Sequence, residues 1–268
     1  MNLVKVIIPV YRSNLHPMEK ASILQALRVL GSHPIVILYP EGMQKPDIQT
    51  GSMVEWLSVS DEWLGTRNGI AGYNKMMLSY DFYQLFRDSE YVLIYQTDAW
   101  VFQDNLAEWC SKGYDYVAAP WIKRAVYDYP FIKQYMACLR AYRARKHQFC
   151  RQRIYGKVGN GGLSLRKVSS FSEACLLYKC EIGKYLSHRK HYYNEDVFWA
   201  TEPRFFRYPT ENEALGFSFD RYPDICFKRT GGTLPFGCHS WSKPGMYKFW
   251  KHIISWEKLI LSLIHISE

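Results

Sequence analysis

No apolar run in this 268-residue chain approaches the roughly 20 residues that a membrane-spanning helix requires. At the N-terminus, MNLVKVIIPVY holds too short an apolar stretch for a secretory signal, and polar residues follow at once. The seven cysteines are odd in number and form no CxxC pair, which argues for reduced thiols rather than a disulfide framework or structural zinc. These absences together predict a cytosolic chain. No recognisable nucleic-acid module is present, so nucleic acid is not expected as a partner. The segment after the first apolar run, VYRSNLHP, has Arg12 but no glycine, which excludes a Gly-rich phosphate loop at that point.

What is present describes a globular protein with a large core, 48% hydrophobic and 22% charged. The length suits one large domain or two small ones. Aromatic residues reach 16%, a content that suits clefts for sugars or bases but also fills ordinary cores. The net charge of +9 points to anionic company: a nucleotide, a lipid phosphate or a membrane surface. Part of it lies in residues 140–157, with seven Lys and Arg and no acid. That run reads either as a solvated helix face or as a surface for anionic lipid or a diphosphate-bearing acceptor.

Taken in order, residues 4–10 (VKVIIPV) predict a buried strand, 17–30 a helix, 34–39 and 53–59 two further strands. Strand, helix and strand at short spacing are the signature of a parallel α/β layer. The loop DEWLGTRNGIAG (61–72) leads into a predicted helix over 73–86 and could cradle phosphate; Arg67 and Asn68 stand where a base or phosphate contact could be made. A helix is expected over 104–112, capped by Asp104, then a strand over 114–119 and mostly helix over 127–149. Residues 169–180 read as one amphipathic helix. Residues 201–235, with four prolines, show little periodicity beyond a short strand at 216–220.

Four features carry chemistry. YVLIYQTDAWVF (91–102) is an apolar run that changes abruptly to Gln96, Thr97 and Asp98. An acid there suits a ligand site beyond the carboxyl ends of strands, or simply a capping Asp at a turn. VGNGGLSLR (158–166) has three glycines in four positions, which permits close approach of another group. YYNEDVFWA (192–200) sets Glu195 and Asp196 among aromatics, which can raise a carboxyl pKa toward general-base use, or merely decorates a helix N-terminus. FGCHSWSK (236–243) places His239 near Trp241 in an aromatic loop.

The order of these features resembles the nucleotide-sugar glycosyltransferases of GT-A fold, and more closely a bacterial domain of unknown function placed among them. The QTD, GNGG-SLR, NEDVF and FG-H-W segments carry the likeness, over residues 3–250. The resemblance implies an α/β fold with a mostly parallel, Rossmann-like central sheet flanked by helices, as a single domain over 1–260. Its donor half would be about 1–120 and its acceptor half about 121–260.

It also implies site roles. Asp98 matches the metal-binding acid, with Gln96 where the first Asp of the motif usually stands. Gln96, Thr97, Asp98 and Arg67 would meet the donor. Gly161, Gly162 and Trp241 would meet the acceptor, and Asp196 with Glu195 would supply the base. His239, with Asp98, would hold a divalent cation, Mn²⁺ or Mg²⁺. The implied activity is inverting transfer of a sugar from a nucleotide-sugar donor to a glycan or lipid-linked acceptor, in bacterial surface polysaccharide synthesis at the inner membrane face. Two rivals stand beside it: a nucleotidyltransferase, and a glycan-binding pseudo-transferase made conceivable by Gln96. The final LSLIHISE (261–268) looks like a translated sequencing-library adapter and is expected to be a non-native tail that hides the true C-terminus.

Overall fold

A computed structural model describes residues 1–48, 50, 54–146 and 148–264. In order the elements are β1 (Asn2–Pro9), α1 (Pro17–Leu30), β2 (Ile35–Pro40), β3 (Val54–Val59), α2 (Gly69–Met77), α3 (Tyr80–Gln84), β4 (Ser89–Tyr95), β5 (Ala99–Val101), α4 (Leu106–Ser111) and β6 (Tyr116–Ala118). There follow α5 (Pro130–Arg145), β7 (Leu163–Lys167), α6 (Val168–Leu177), α7 (Lys179–Leu186), α8 (Glu195–Thr201), α9 (Glu211–Phe217), β8 (Ser218–Phe219), α10 (Pro223–Arg229), β9 (Gly237–His239), α11 (Pro244–Trp250) and α12 (Trp256–Ile264). Residues 265–268 of the expected tail, and Met53 of the third predicted strand, lie outside the described residues.

Six strands form the central sheet in the order β3-β2-β1-β4-β7-β6. Strands β1 to β4 pair in parallel, while β7 runs antiparallel to both of its neighbours. The expected mostly parallel α/β sheet is therefore present. Alternation along each strand fills both faces. In β1, Val4, Val6 and Ile8 enter one apolar cluster and Ile7 the other; in β4, Tyr91, Leu93 and Tyr95 face the first and Val92 and Ile94 the second.

A second sheet of three short strands, β5-β9-β8, lies beyond the end of β4. Its own apolar cluster gathers Trp100, Phe219, Trp241 and Trp250.

Several expected elements differ in detail. The helix predicted over 73–86 is two, α2 and α3, because Ser79 accepts a hydrogen bond from the Asp81 amide and starts a new one. The 169–180 helix likewise divides, at Tyr178. Asn105 occupies the N-cap position of α4 but makes no side-chain cap bond; Asp104, one residue earlier, accepts from the Leu106 amide at 3.4 Å and also meets His33 at 2.9 Å. Residues 201–235 hold α9 and α10, each of seven residues, too short for a period to show. The first is announced by a capping box between Thr210 and Glu213.

Candidate active site

Register in the two sheets assembles the site. Tyr95 at the end of β4 pairs with Leu163 at the start of β7, and the Gln96 amide donates to the Gly162 carbonyl at 2.8 Å. The strand-end motif thus lies against the glycine loop. In the small sheet Ala99 pairs with His239, which sets Asp98 beside the imidazole, and Phe219 pairs with Cys238, which brings Asp220 to its other side. The Ala99 carbonyl accepts from Ser22, Tyr95 and the Trp241 indole, so the turn that aims Asp98 is held from three directions.

His239 joins the acids. Its Nε2 lies 2.9 Å from Asp98 Oδ1 and 3.3 Å from Gln96 Oε1, and its Nδ1 lies 3.2 Å from Asp220. Lys243 Nζ stands 3.4 Å from the other Asp98 oxygen. Burial favours neutral forms here, but the charges outweigh it. The His239 imidazole and then the Lys243 ammonium hold Asp98 well below the usual carboxylate range; His239 likewise lowers Asp220; and the two carboxylates raise His239.

Glycine is required beside these groups. A Cβ on Gly162 would lie 2.0 Å from His239 Nε2, and one on Gly161 1.9 Å from Glu195 Oε1. Asn160 (φ 126°), Tyr222 (φ 57°) and Ser240 (φ 58°) hold left-handed backbone and all line the same cavity. Among the described residues no other non-glycine does so, a concentration of strain expected at a functional site.

Two cavities meet here. One of about 670 Å³ opens beyond the carboxyl ends of β1 and β4, between Pro9, Arg12, Gly65, Thr97 and Asp98. This is the point where strand order reverses, the expected place for a ligand in an open α/β sheet. The other, about 600 Å³, is lined by Trp121, Asn160, Gly161, Asp196, Asp220 and His239 among others. Ile70, Tyr73, Gln96 and Lys243 line both and form the wall between them. The first cavity is lined mostly by residues before 120 and the second mostly by residues after it; Ser242 and Lys243 cross into the first, and Ile70, Tyr73, Asn74 and Gln96 into the second.

Asp196 is half-buried in the second cavity, its Oδ1 accepting from the Val197 amide at 2.8 Å. Burial, and then the Glu195 charge, push it up to about 7. Glu195 has a different setting. It is 3% exposed and ion-paired at 3.1 Å with Arg166, itself wholly buried and donating to Tyr83 and Ser164. Buried and engaged by Arg166, Glu195 is a positioning residue rather than the expected second catalytic acid.

Two other expectations are corrected. Arg67 is exposed and pairs with Asp61 at 3.4 Å, outside both cavities; Arg12 is the guanidinium in the first cavity. Trp241 is completely buried and buttresses Ala99, so it does not meet an acceptor. Asp220, Lys243, Tyr73 and Arg12 escape sequence reasoning because each reaches the site through tertiary placement. Only the spacing of Lys243 from His239, on one loop, could have signalled it.

The strand-end cluster presents a carboxylate oxygen, an amide oxygen and an imidazole nitrogen, donor kinds that Mn²⁺ and Mg²⁺ accept. Among the described residues no three His, Cys, Asp or Glu side chains gather to hold a metal. Asp98 Oδ1 and Gln96 Oε1, however, both lie near His239 Nε2, at 2.9 and 3.3 Å. Adjacent ligands of an octahedral ion with bonds of about 2.1 Å are about 3 Å apart. Asp220 on Nδ1 is the outer carboxylate that commonly orients a ligating imidazole.

The chain belongs to a family described as a protein of unknown function (DUF5672), whose model matches residues 54–239. No curated protein matches the sequence. Among solved structures, the galactosyltransferase LgtC in complex with donor and acceptor sugar analogs aligns at a TM-score of 0.57 and 11% identity, over 96% of this chain and 95% of that one. The apo form of the glycosyltransferase GlyE of Streptococcus pneumoniae TIGR4 aligns at 0.50 and 12% identity, over 99% of this chain and 64% of that one. The bifunctional glycosyltransferase WbbM, in apo form, aligns at 0.51 and 14%, over 89% and 45%. At such identities the likeness shows the fold: the GT-A fold of glycosyltransferases. No described helix is long and apolar enough to cross a membrane.

Proposed function

We propose that this protein transfers a sugar from a nucleotide-sugar donor to a hydroxyl of a glycan or lipid-linked acceptor, with inversion, in bacterial surface polysaccharide synthesis on the cytoplasmic side. The observation that carries the reading is the contact of Asp98, lining the first cavity, with His239, lining the second, beside Gln96 in the wall between them, with Asp196 also lining the second. The first cavity takes the nucleotide diphosphate, near Arg12 and Thr97; the second takes the acceptor. Donor and acceptor sides thus meet over Gln96, Tyr73 and Lys243.

In the reaction the bond between the anomeric carbon and the diphosphate oxygen breaks, and the electron pair leaves with the diphosphate. The acceptor oxygen bonds to the same carbon from the opposite face and its proton passes to Asp196. Lys243 neutralises charge on the departing group. Asp98, His239 and Gln96 would hold Mn²⁺ or Mg²⁺, which when bound supplies further stabilisation of the leaving diphosphate. Asp220 fixes the ring of His239, and the Glu195–Arg166 pair fixes the start of α8, which bears Asp196.

Turnover of sugar nucleotides with and without EDTA, for wild type, Asp98→Ala and Asp196→Asn, tests this. Asp196→Asn is expected to lower kcat by about 10²–10⁴-fold, and EDTA and Asp98→Ala to depress turnover together. Full transfer by Asp196→Asn sinks the base assignment, and a retained anomeric configuration in the product sinks inversion. Gln96 in place of an acid supports the second reading, a pseudo-transferase, which is favoured if glycan binds calorimetrically and no donor is ever consumed.

A further inference from the structure

Residues 121–157 hold ten of the 34 Lys and Arg but only one of the 25 Asp and Glu, so the other 24 cations and 24 anions balance and the whole net charge of +9 resides in this one segment. Its single acid, Asp128, pairs with Lys123, which leaves the cations of α5 without an acidic neighbour in their own segment. Helix α5 buries no residue. Ile132, Met136 and Leu139 lie half-covered on one side. Phe131, Tyr135 and Tyr142, at helical spacing, form a separate stripe that is 88%, 65% and 58% exposed, and Tyr129 precedes it at 65%. An isolated sixteen-residue helix is marginal in water, and one that also shows an aromatic stripe is built for a partner.

We infer that α5 is a docking face for a bilayer of anionic phospholipid. Along the exposed side of α5, Phe131, Tyr135 and Tyr142 follow one edge with Arg145 beside them, and Lys133 and Arg140 follow the opposite edge; a helix lying flat on a bilayer sinks the rings into the headgroup layer along one edge while the flexible cations reach lipid phosphates along the other. The same segment supplies Trp121, Arg151 and Ile154 to the wall of the acceptor cavity, and Phe149 stacks on Tyr192 at its rim. Docking through α5 therefore sets the acceptor cavity next to the membrane surface, and the acceptor becomes a lipid-linked one. That last step rests on the proposed transferase reading; the docking itself does not.

The test is sedimentation of the full chain with phosphatidylcholine vesicles, pure or containing roughly one third phosphatidylglycerol. Binding is expected to the anionic vesicles alone and to weaken with salt. The triple variant K133E/R140E/R145E is expected to bind at least about tenfold more weakly, on the usual contribution of each surface cation. Phe131→Ser with Tyr135→Ser is expected to weaken it too. All these positions are exposed, so circular dichroism of the variants should match wild type. Equal binding to neutral vesicles, wild-type binding by the triple variant, or no vesicle binding overturns the proposal. So does a dimer in light scattering that the triple variant abolishes while vesicles fail to bind, since α5 is then a self-interface. Transfer to a soluble acceptor, measured in parallel, separates the two ideas: vesicle binding without any transfer leaves docking intact and removes the transferase.

Discussion

Asp196 carries two consequences of one placement. Burial and the adjacent Glu195 raise its carboxyl to about 7, which suits proton acceptance near neutral pH. The same shift costs stability. Below the unfolded value near 4 both states are protonated; between there and about 7 the folded chain keeps a proton that the unfolded chain has released. The stability tied to neutral Asp196 is thus fully present at low pH and lost as pH rises through about 7. Asp196→Asn should therefore raise the unfolding free energy above pH 7 by on the order of 1–3 kcal/mol, read by denaturant titration at pH 5 and pH 8, with little gain at the lower pH. In wild type the turnover rate should climb with an apparent pKa near 7. The glycine beside His239 gives a steric counterpart. Gly162→Ala puts a methyl 2.0 Å from Nε2 and must move the ring, so transfer should fall at least about tenfold, the scale of a displaced catalytic group. Gly245, with open space around it, should accept Ala with transfer unchanged.

At the scale of elements, what was legible in the sequence follows from range. Strands β1 to β4 and helix α1 announce themselves through local patterns: apolar runs for the strands, and Pro17 and Glu19 ahead of helically spaced apolar residues for the helix. The strand-end Asp98, the glycine loop and His239 also stand out, because each breaks such a pattern. Asp220 does not. It follows a two-residue strand, β8, whose only significance is its pairing with β9. Arg166 reads as one more strand residue, yet it is the buried cation that joins β7 to α8 through Glu195 and explains why the acidic pair splits into a paired and an unpaired acid. Breaking that link should cost more than removing it. Glu195→Ala leaves the Arg166 charge buried alone and should destabilise by about 3–5 kcal/mol, measured by urea unfolding. The joint Glu195→Leu and Arg166→Met change should be much milder in stability while still lowering turnover, since α8 then loses its anchor.

For the molecule as a whole, the proposed cation and nucleotide should report themselves through folding. A group that binds only the native chain adds about 2.7 kcal/mol at a hundredfold excess over its Kd. In a chain of this size each kcal/mol moves Tm by roughly 2–4 °C. Mn²⁺ together with the matching nucleoside diphosphate should therefore raise Tm by several degrees, EDTA should reverse the gain, and Asp98→Ala should abolish it. The pH dependence has a fixed sign. His239 is raised by Asp98 and Asp220 and so tends to keep its proton; a ligating Nε2 must release it. The metal-dependent part of the Tm shift should shrink as pH falls, with protons released on binding in buffers of differing ionisation enthalpy. Asp220→Asn separates orientation from charge: it leaves the ligand atoms in place, lowers the tendency of His239 to hold its proton, and removes the carboxylate that aims the ring. If aiming dominates, metal affinity drops about 10–100-fold; an affinity that instead improves at low pH would mean that Asp220 serves chiefly to keep the imidazole charged, and the cluster would then be a cationic clamp for diphosphate rather than a metal site.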